Sequence, residues 1–318
     1  MATVINAFSV LLPVLFVMAL GFFAGRAKQF DKDQVQGLNA LVITFALPAS
    51  LFVGIVTTPR SSLLAAGPFI IVLLIAFIGL FVAVALFSVF VLRRGAGAAA
   101  VQATCIAFAN VTFIGLPILT PLFGSSSIFA VAIAALVLQV TLVPLMVTML
   151  EYEQQLAAGG KIHGVLTLVA KSLLGSLRQP VVLVPLLGTI LLLIGLSVPK
   201  ELVSMLNLIG SATSGVAVFV AGLIIAAYHV KVTVEITANT LVKMIVQPIL
   251  MALLVMAFGI GKPLGIEAIL ICALPTAVIP VMFALRYRMY EAEAASTLLL
   301  TTLTMILAVP IVIALTGA

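Results

Sequence analysis

The chain has 318 residues, 64% of them hydrophobic and 8% charged, with a formal net charge of +6. A water-soluble domain of this length cannot bury so much apolar surface, so the composition excludes a soluble globular protein and predicts several membrane spans. The basic residues stand singly between hydrophobic runs, which is typical of loops that set membrane topology, and no nucleic-acid partner is expected.

Windows of about 20 apolar residues predict an all-α polytopic membrane protein with ten transmembrane helices. The first run is too long for the apolar region of a signal peptide, and no basic residue precedes it, so it is expected to remain in the protein. In chain order the predicted spans lie near residues 3–25, 38–57, 66–92, 97–123, 127–150, 179–197, 202–228, 237–259, 266–285 and 292–316.

Basic residues differ strongly between the two faces that ten spans would create. Eleven fall on one face, three fall on the other, and the fifteenth lies inside span eight. The positive-inside rule therefore places both termini on the side away from the cytoplasm. The eleven are Arg26, Lys28, Lys32, Arg93, Arg94, Lys161, Lys171, Arg178, Lys231, Arg286 and Arg288, and the three are Arg60, Lys200 and Lys262.

The longest connection, residues 151–178, is cytoplasmic in this topology. Its apolar residues recur at helical intervals, and its basic residues flank or face away from them, which predicts an interfacial helix. The linker separates a first five-helix repeat in residues 1–150 from a second in residues 179–318. The apolar residues are Ile162, Val165, Leu166, Val169, Leu173 and Leu177.

Five spans in each half mean that the second half enters the membrane inverted relative to the first. Short echoes between the halves favour a duplication, because the pair Leu-Asn opens span two at residue 38 and span seven at residue 206. Gly54 and Gly222 then follow at the same distance in each span. We therefore expect two inverted five-helix repeats.

Spans four and nine are each interrupted by proline. Proline removes an amide donor and clashes with the preceding turn, so a helix in lipid does not continue through it without a break. Backbone left unpaired at membrane depth is tolerated only where it faces protein or a water-filled cavity. Paired breaks at matching places in two halves predict the binding site of a transporter, formed where helices four and nine cross. The breaks fall at Asn110, Gly115, Pro117, Pro275 and Pro280.

No catalytic or metal-binding group is expected inside the membrane. All nine acidic residues and both histidines are assigned to loops or to the ends of spans, and both cysteines lie in spans as small hydrophobic residues. The chain offers no nucleophile–base pair, so neither an enzyme nor a cofactor is predicted. Because a proton-driven carrier usually holds a carboxylate or histidine in the membrane, we also expect transport without a proton carried by the protein.

Neutral polar groups and helix ends remain at the two breaks. The half-helix after each break presents free amides and the positive end of its dipole, which suits a carboxylate. Asn110 either donates to that anion or forms an interhelical hydrogen bond or cap. The predicted site consists of Asn110, Thr112, Gly115, Pro117, Pro275, Thr276 and Pro280.

Four further polar residues have two possible roles each. Lys243 in span eight either extends to the membrane interface or attracts an anion from inside, and Arg178 permits the same two interpretations. Asn39 and Asn207 either line the transport path or contact neighbouring helices.

The interrupted spans resemble those of the auxin efflux carriers and their bacterial relatives. The segment ANVTFIGLP at 109–117 resembles the first crossover of that family, and ALPTAVIPVMFALRY at 273–287 resembles the second. RQP at 178–180 and VAVFVAGL at 216–223 are also similar to family segments. The chain also resembles the malonate-type carriers of bacteria in its short length and in the segments LEYEQQLAAG at 150–159 and PLLGTIL at 185–191.

The resemblance implies a scaffold domain and a crossover transport domain built from helices of both repeats, a homodimer, and an elevator-like movement. It implies a small organic anion as substrate, a mono- or dicarboxylate such as malonate or malate, and a bacterial inner membrane with periplasmic termini. Asn110, Pro117, Pro275 and Pro280 match the crossover motifs. The alternatives are a sodium-coupled carrier of bile-acid-like substrates on a related scaffold and a membrane ligand sensor without transport.

Overall fold

The computed structural model describes residues 2–158, 164–227 and 231–317, and it is helical throughout these residues apart from turns and one isolated β-bridge. Three short π-helical turns, π1 to π3, interrupt the α-helices. In chain order the elements are α1 (Ala2–Arg26), α2 (Lys32–Leu41), π1 (Val42–Ala46), α3 (Leu47–Val56), α4 (Arg60–Ala65), α5 (Gly67–Phe90), α6 (Ala96–Ala107), π2 (Val111–Gly115), α7 (Leu116–Phe123), α8 (Ser125–Ala157), α9 (Val165–Leu177), α10 (Pro180–Ile194), α11 (Lys200–Gly210), α12 (Ala212–Ala226), α13 (Val234–Leu241), π3 (Val242–Val246), α14 (Gln247–Ala257), α15 (Leu264–Ala273), α16 (Val278–Tyr287) and α17 (Glu291–Thr316).

Six helices of the described residues are long and apolar enough to cross a membrane, or seven when the bent pair Leu166–Leu177 and Pro180–Ile194 counts as one span. Shorter apolar helices cover other predicted spans, and predicted spans four and nine each consist of two such pieces. The all-helical prediction is confirmed, whereas the ten-span count and the inverted repeats stay predictions. The six helices are Lys32–Val56, Gly67–Phe90, Ser126–Ala157, Lys200–Ala226, Val234–Ala257 and Glu291–Thr316.

Each of the three π-helical turns begins six residues before a proline. The segments are VITFALP at 42–48, VTFIGLP at 111–117 and VKMIVQP at 242–248. A proline has no amide to donate, and its ring crowds the carbonyl four residues earlier, so the regular hydrogen-bond ladder is displaced. A π-turn absorbs that displacement without ending the helix, and such turns are frequent at functional sites. Two of the three, π2 and π3, lie beside the crossing described below.

The helices pack in two groups that draw on both halves of the sequence. In the first group, α1 packs against α12, and α3 packs against α10 and α11. In the second group, α6 packs between α5 and α8, and α14 packs against α5 and α15. The helices of residues 1–150 and 179–318 therefore intermix and do not form separate packing units.

Glycines allow the closest helix contacts of the first group and of its border with α8. A Cβ on Gly222 of α12 would lie 2.1 Å from the carbonyl oxygen of Met18 and 3.1 Å from the carbonyl carbon of Gly21 on α1. A Cβ on Gly54 of α3 would lie 2.1 Å from Ile128 Cγ2 on α8. Small residues let helix backbones approach in this way in membranes. Gly54 and Gly222, which occupy matching positions in the two halves of the sequence, thus both permit close packing but have different neighbours.

The linker helix α9 packs against α8 through residues outside the predicted apolar stripe. Its buried residues are Leu168, Ser172 and Ser176, and Ser172 Oγ lies 3.5 Å from Thr148 Oγ1 on α8, whereas Leu166 is 82% exposed. Because lipid is as apolar as leucine, small and hydroxylated residues can form the packed face and leucines can point outward. Within the predicted stripe, Ile162 lies outside the described residues, as do Lys161 and both histidines.

Candidate substrate site at the helix crossing

The two interrupted segments lie against each other and are joined through their main chains. The amide of Asn110 donates to the carbonyl oxygen of Pro275 over 2.9 Å, and the amide of Ala277 donates to the carbonyl oxygen of Phe108 over 3.2 Å. These bonds form a short antiparallel β-bridge between α6–π2 and α15–α16. Backbone groups freed by the breaks are thereby satisfied inside the protein, as the apolar surroundings require.

The carbonyl ends of α6 and α15 meet two polar side chains of the segment π3–α14. Gln247 Nε2 donates to the carbonyl oxygen of Ala107 over 2.8 Å, at the last residue of α6. Lys243 Nζ donates to Gln247 Oε1 over 2.5 Å and reaches the carbonyl oxygen of Cys272 at 3.5 Å. A lysine amine therefore lies at the carbonyl end of α15, and a glutamine amide lies at the carbonyl end of α6.

The expectation that Lys243 extends to the membrane interface is wrong. Its side chain is 0% exposed, and Gln247 beside it is equally buried. The rule that long basic side chains near helix ends reach for water fails here, because converging carbonyl groups offer an internal partner. Lys243 also lines none of the cavities described for this part of the chain, so it holds helix ends and does not attract a ligand directly.

The amide ends at the same crossing carry no comparable partner. π2 begins after Asn110 and α16 begins after Ala277, and neither has a side-chain cap within the described structure. The Asn110 residue is 1% exposed and is not among the residues that line the described cavities, and its Oδ1 has no hydrogen-bond partner among the described residues. A buried acceptor without a partner costs about 1–3 kcal/mol, which a bound water would recover, whereas only Nδ2 of the Asn110 side chain can bind an anion.

A cavity of about 150 Å³ lies beside π2, between the two helix groups. Its polar wall residues are Thr112 on π2, Gln139 on α8 and Gln179 at the start of α10. The remaining wall is apolar and includes Phe113 and Phe283. This volume corresponds to about five water molecules at ~30 Å³ each, which suits a molecule of a few carbon and oxygen atoms. An apolar pocket with a few polar groups is typical of small-molecule sites.

Gln139 and Gln179 are wall residues that the sequence did not identify. Gln139 is 3% exposed although it interrupts the apolar run LVLQVTLV at 136–143. A lone glutamine in such a run is a signal that could have identified it, because an amide inside a span needs a partner. Gln179 lies between a predicted attractor, Arg178, and a helix-starting proline, where no comparable signal exists.

Thr276 is part of the crossing but not of the cavity wall. Its hydroxyl donates to the carbonyl oxygen of Cys105 over 2.6 Å, and its amide donates to Thr301 Oγ1 over 3.1 Å. Both groups are thus used to fasten α15–α16 to α6 and α17. We therefore drop Thr276 from the predicted substrate ligands and treat it as a fastening residue.

The other predicted site residues lie at several places. Gly115 is buried, and a Cβ there would lie 3.3 Å from Val131 Cγ2, so it serves close packing. Pro275 joins the β-bridge through its carbonyl, and Pro280 is buried in α16. Pro117 lines a different cavity, of about 370 Å³, together with residues of α1 and α12.

Arg178, Asn39 and Asn207 do not line the crossing cavity. Arg178 is exposed at the end of α9, next to the wall residue Gln179. Asn207 is exposed on α11, and Asn39 on α2 has a buried Oδ1 without a partner among the described residues. The predicted roles of these three residues in a transport path have no support from this cavity.

A polar cluster joins the ends of α6, α13 and α17. Arg94 forms an ion pair with Glu235 on α13, and the hydroxyl of Tyr290 donates to the same carboxylate. Gln102 Nε2 donates to Asn239 Oδ1 over 3.0 Å, which links α6 to α13. The hydrogen bonds to Glu235 raise the pKa of the Arg94 guanidinium above its usual range, so this cation keeps its charge at every physiological pH.

The beginning of α6 is capped by a carboxylate from another helix. Glu153 Oε2 on α8 accepts a hydrogen bond from the amide of Gly97 over 2.5 Å, and α6 has no side-chain cap at its own N-cap residue in the described structure. A Cβ on Gly95 would lie 2.3 Å from Glu153 Oε1, so glycine permits this approach. The carboxylate also lies at the positive end of the helix dipole.

One carboxyl group lies inside the protein, contrary to expectation. Glu267, assigned from the sequence to the start of a span, is in the first turn of α15 and is 0% exposed. Its Oε2 lies 3.4 Å from Ser126 Oγ, and its Oε1 has no partner among the residues described. The premise that no buried acid exists is therefore wrong, although Glu267 does not line the crossing cavity.

Known proteins show similarity along nearly the whole chain. A family model described as Membrane transport protein matches residues 6–313. The Escherichia coli K12 protein named "Uncharacterized transporter YfdV" is 32% identical over 305 residues, which cover 95% of each chain, and a Shigella flexneri protein of the same name matches equally. The Rhizobium meliloti protein named "Putative malonate transporter" is 24% identical over 301 residues, covering 92% of this chain and 90% of its own. The chain therefore belongs to the membrane transport protein family, the auxin efflux carrier family that its interrupted segments resemble.

Proposed function

We propose that the protein is a secondary transporter of a small organic anion, a mono- or dicarboxylate such as malonate or malate, that works by alternating access. Family membership supports transport across a membrane, and the printed name of the Rhizobium meliloti relative supports malonate as the first substrate to test. The proposed topology has ten spans as two inverted repeats in a bacterial inner membrane, with both termini periplasmic. No chemical conversion of the substrate is part of this proposal.

The proposal rests on a difference between the helix ends at the crossing: the carbonyl ends have side-chain partners, and the amide ends have no side-chain cap among the described residues. Each helix end bears about half an elementary charge, positive at the amide end and negative at the carbonyl end. The chain supplies its own donors for the carbonyl ends, Gln247 for α6 and Lys243 for α15. It supplies no side-chain cap for the amide ends of π2 and α16 in the described residues. A guest that completes this arrangement is negatively charged.

The substrate is held by neutral groups in this proposal. Its carboxylate lies at the amide end of π2 and accepts hydrogen bonds from Asn110 Nδ2 and the hydroxyl of Thr112, while Gln139 and Gln179 bind from the opposite walls. None of the cavity-lining residues is titratable. Substrate binding therefore needs no proton from the protein, and the anion gradient and membrane potential drive net movement. Moving one charge across 100 mV corresponds to about 2.3 kcal/mol.

Alternating access follows from where the cavity lies. Ile43 and Val181 belong to the first helix group, whereas Thr112 and Gln139 belong to the second, so the cavity wall is divided between them. We take the first group as the scaffold domain and the second as the crossover transport domain of a homodimer. Movement of the second group along the first, as in an elevator, would carry the crossing from one face to the other.

Sodium coupling is disfavoured by the same geometry. Carriers with broken helices often bind sodium where carbonyl ends converge. In this chain Lys243 Nζ occupies that position. The amine therefore fills the place that a mobile cation would take.

The function is tested first by binding and then by flux. Malonate, malate, succinate and acetate are added to the purified protein, with neutral malonamide as the matched control, and thermal unfolding midpoints are compared. We expect dicarboxylates to raise the midpoint and malonamide to leave it unchanged. Equal effects of malonate and malonamide would contradict an anion site.

Uptake of labelled malonate into proteoliposomes then separates a transporter from a sensor. We expect uptake that follows an imposed potassium diffusion potential and that is the same in sodium and choline buffers. Stabilisation by malonate without uptake would indicate a ligand sensor. Uptake that requires sodium would indicate the sodium-coupled alternative.

A further inference from the structure

Glu267 is a buried acid outside the proposed substrate site. It lies in the first turn of α15 and is 0% exposed, with one carboxyl oxygen 3.4 Å from Ser126 Oγ and the other without a partner among the described residues. A carboxylate buried with so few donors is strongly disfavoured relative to the neutral acid. The geometry therefore calls for a proton on this group when it is buried.

No basic group offsets the charge of Glu267 in the part of the chain that the structure describes. α15 packs against α5, α8, α14, α17 and π3, and α5 and α14 carry no charged residue. Lys243 on π3 binds the carbonyl oxygen of Cys272, about 7 Å further along α15 at 1.5 Å per residue. The nearest turns contribute Lys262, whose Nζ lies 3.4 Å from the carbonyl oxygen of Thr316, and Arg60, which is exposed.

The acidic groups on the neighbouring helices lie at the far ends of those helices. Glu151 and Glu153 follow Ser126 on α8 by 25 and 27 residues, which is about 40 Å of helix. Glu291 and Glu293 begin α17, whose last residue, Thr316, lies near Lys262 and therefore on the Glu267 side. Protonation of Glu267 is thus governed by its burial and by Ser126.

The Ser126 partner also lines a polar cavity of about 280 Å³ at the border of the two helix groups. Thr57 and Thr58 at the end of α3 and Ser62 on α4 form one side of it, and Ser126 and Leu264 form the other. Gln139 of the substrate cavity lies thirteen residues after Ser126 on the same helix, about 20 Å away. The two cavities are therefore separate, and the substrate cavity lies near the middle of α8 whereas the polar cavity lies at its beginning.

We propose that Glu267 binds a proton from the face that carries the α3–α4 and α14–α15 turns, and that this proton controls the opening of the border cavity. The protonated acid stays buried against Ser126 and keeps the two helix groups together. The ionised acid requires water, which it reaches by moving toward Thr57, Thr58 and Ser62 and separating the groups. Acidification of that face therefore closes it, and a rise in pH opens it.

The proton regulates the carrier and is not itself transported. Glu267 lies near one face only, so its proton enters and leaves on the same side and gains nothing from a transmembrane pH gradient. A bound sodium ion is not the occupant proposed, because within the described residues Ser126 Oγ is the one side-chain oxygen that bonds the carboxyl group, and a metal ion needs several oxygen ligands. This inference rests on alternating access but not on the identity of the substrate.

The test measures opening directly and needs no transport. Ser62→Cys is labelled with a membrane-impermeant maleimide, and its rate is divided by that of exposed Ser61→Cys, which cancels the pH dependence of the thiol reaction. Both native cysteines are buried and stay in place. We expect the ratio to rise at least about threefold between about pH 5.5 and pH 8.5, since ionisation of the acid drives the opening. A ratio that stays constant over this range overturns the proposal.

Two further variants identify the group that responds. Glu267→Gln mimics the protonated acid, so its labelling ratio should stay low at every pH, and a pH-dependent ratio in this variant would overturn the assignment to Glu267. Ser126→Ala removes the hydroxyl that holds the protonated acid in the closed state, so the pH of half-maximal labelling should fall. This second variant decides the matter even where Glu267→Gln does not fold. Closure by sodium at constant pH would replace the proton with a metal ion and refute the proposal.

Discussion

Replacing Asn110 with alanine separates a substrate ligand from a structural residue. Asn110 Oδ1 is buried and has no partner within the described residues, so the truncation leaves no partner of that oxygen unpaired. We therefore expect the free energy of unfolding to change by less than about 1 kcal/mol. A hydrogen bond to a charged group contributes about 1.5–3 kcal/mol, so substrate affinity should fall about 10- to 150-fold.

The assay combines two measurements on the same preparation. Isothermal titration with the carboxylate that binds the parent protein gives the affinity, and denaturant unfolding gives the stability. Asn207→Ala is the matched control, because Asn207 is exposed on α11 and distant from the cavity wall. The reasoning is refuted if Asn110→Ala binds normally. A loss of stability of more than about 2 kcal/mol with unchanged affinity would make Asn110 an interhelical bond or cap.

Three other changes test the surroundings of the site. Lys243→Ala leaves two buried acceptors unpaired, at a cost of about 1–3 kcal/mol each. Thermal stability should therefore fall in choline chloride and partly recover in sodium chloride. Equal losses in both salts would show that the carbonyl ends need no cation. Glu153→Ala removes the cap of α6 and should lower the free energy of unfolding by about 1–2 kcal/mol in a denaturant titration, and an unchanged midpoint would contradict that role. Gly222→Leu places a Cβ 2.1 Å from the carbonyl oxygen of Met18 and should abolish recovery of folded protein by size-exclusion chromatography, whereas Gly79→Leu, where nothing lies within 4 Å, should be recovered normally.

The interruption of span nine was predictable because proline acts on the residues next to it, and Pro275 lies just after the end of α15. Pro117 lies ten residues after the end of α6, and π2 accommodates it without ending the helix, so proline marked the interrupted segment of span four but does not itself end α6. The structure ends α6 at Ala107 and α15 at Ala273, inside the two segments where breaks were expected.

The side chains around the crossing were less predictable because their roles depend on distant segments. Lys243 has the sequence features of a lysine that reaches for water, and its internal partners are Gln247 and a carbonyl oxygen, that of Cys272 on α15, which the sequence does not place beside it. Glu267 lies near the start of a predicted span, and its burial depends on α8, which supplies Ser126. The role of Gln139 as a wall residue became apparent only from the cavity that the structure shows.

Amphipathic periodicity did not predict the face of α9 that contacts protein. The apolar stripe indicates an interfacial helix, whose apolar face lies in lipid, and this stays a prediction. Next to lipid, Leu166 is stable when exposed, and Ser172 forms the contact with α8. Periodicity in such segments identifies a helix but not its inner face.

The β-bridge between the two interruptions has a consequence for how this protein can be redesigned. Its hydrogen bonds, from Asn110 to Pro275 and from Ala277 to Phe108, use main-chain atoms only and so do not depend on which side chains stand nearby. Selectivity and assembly are therefore separate properties. Wall residues such as Gln139 and Gln179 can be exchanged to admit larger or differently substituted acids while the architecture that presents them is inherited intact.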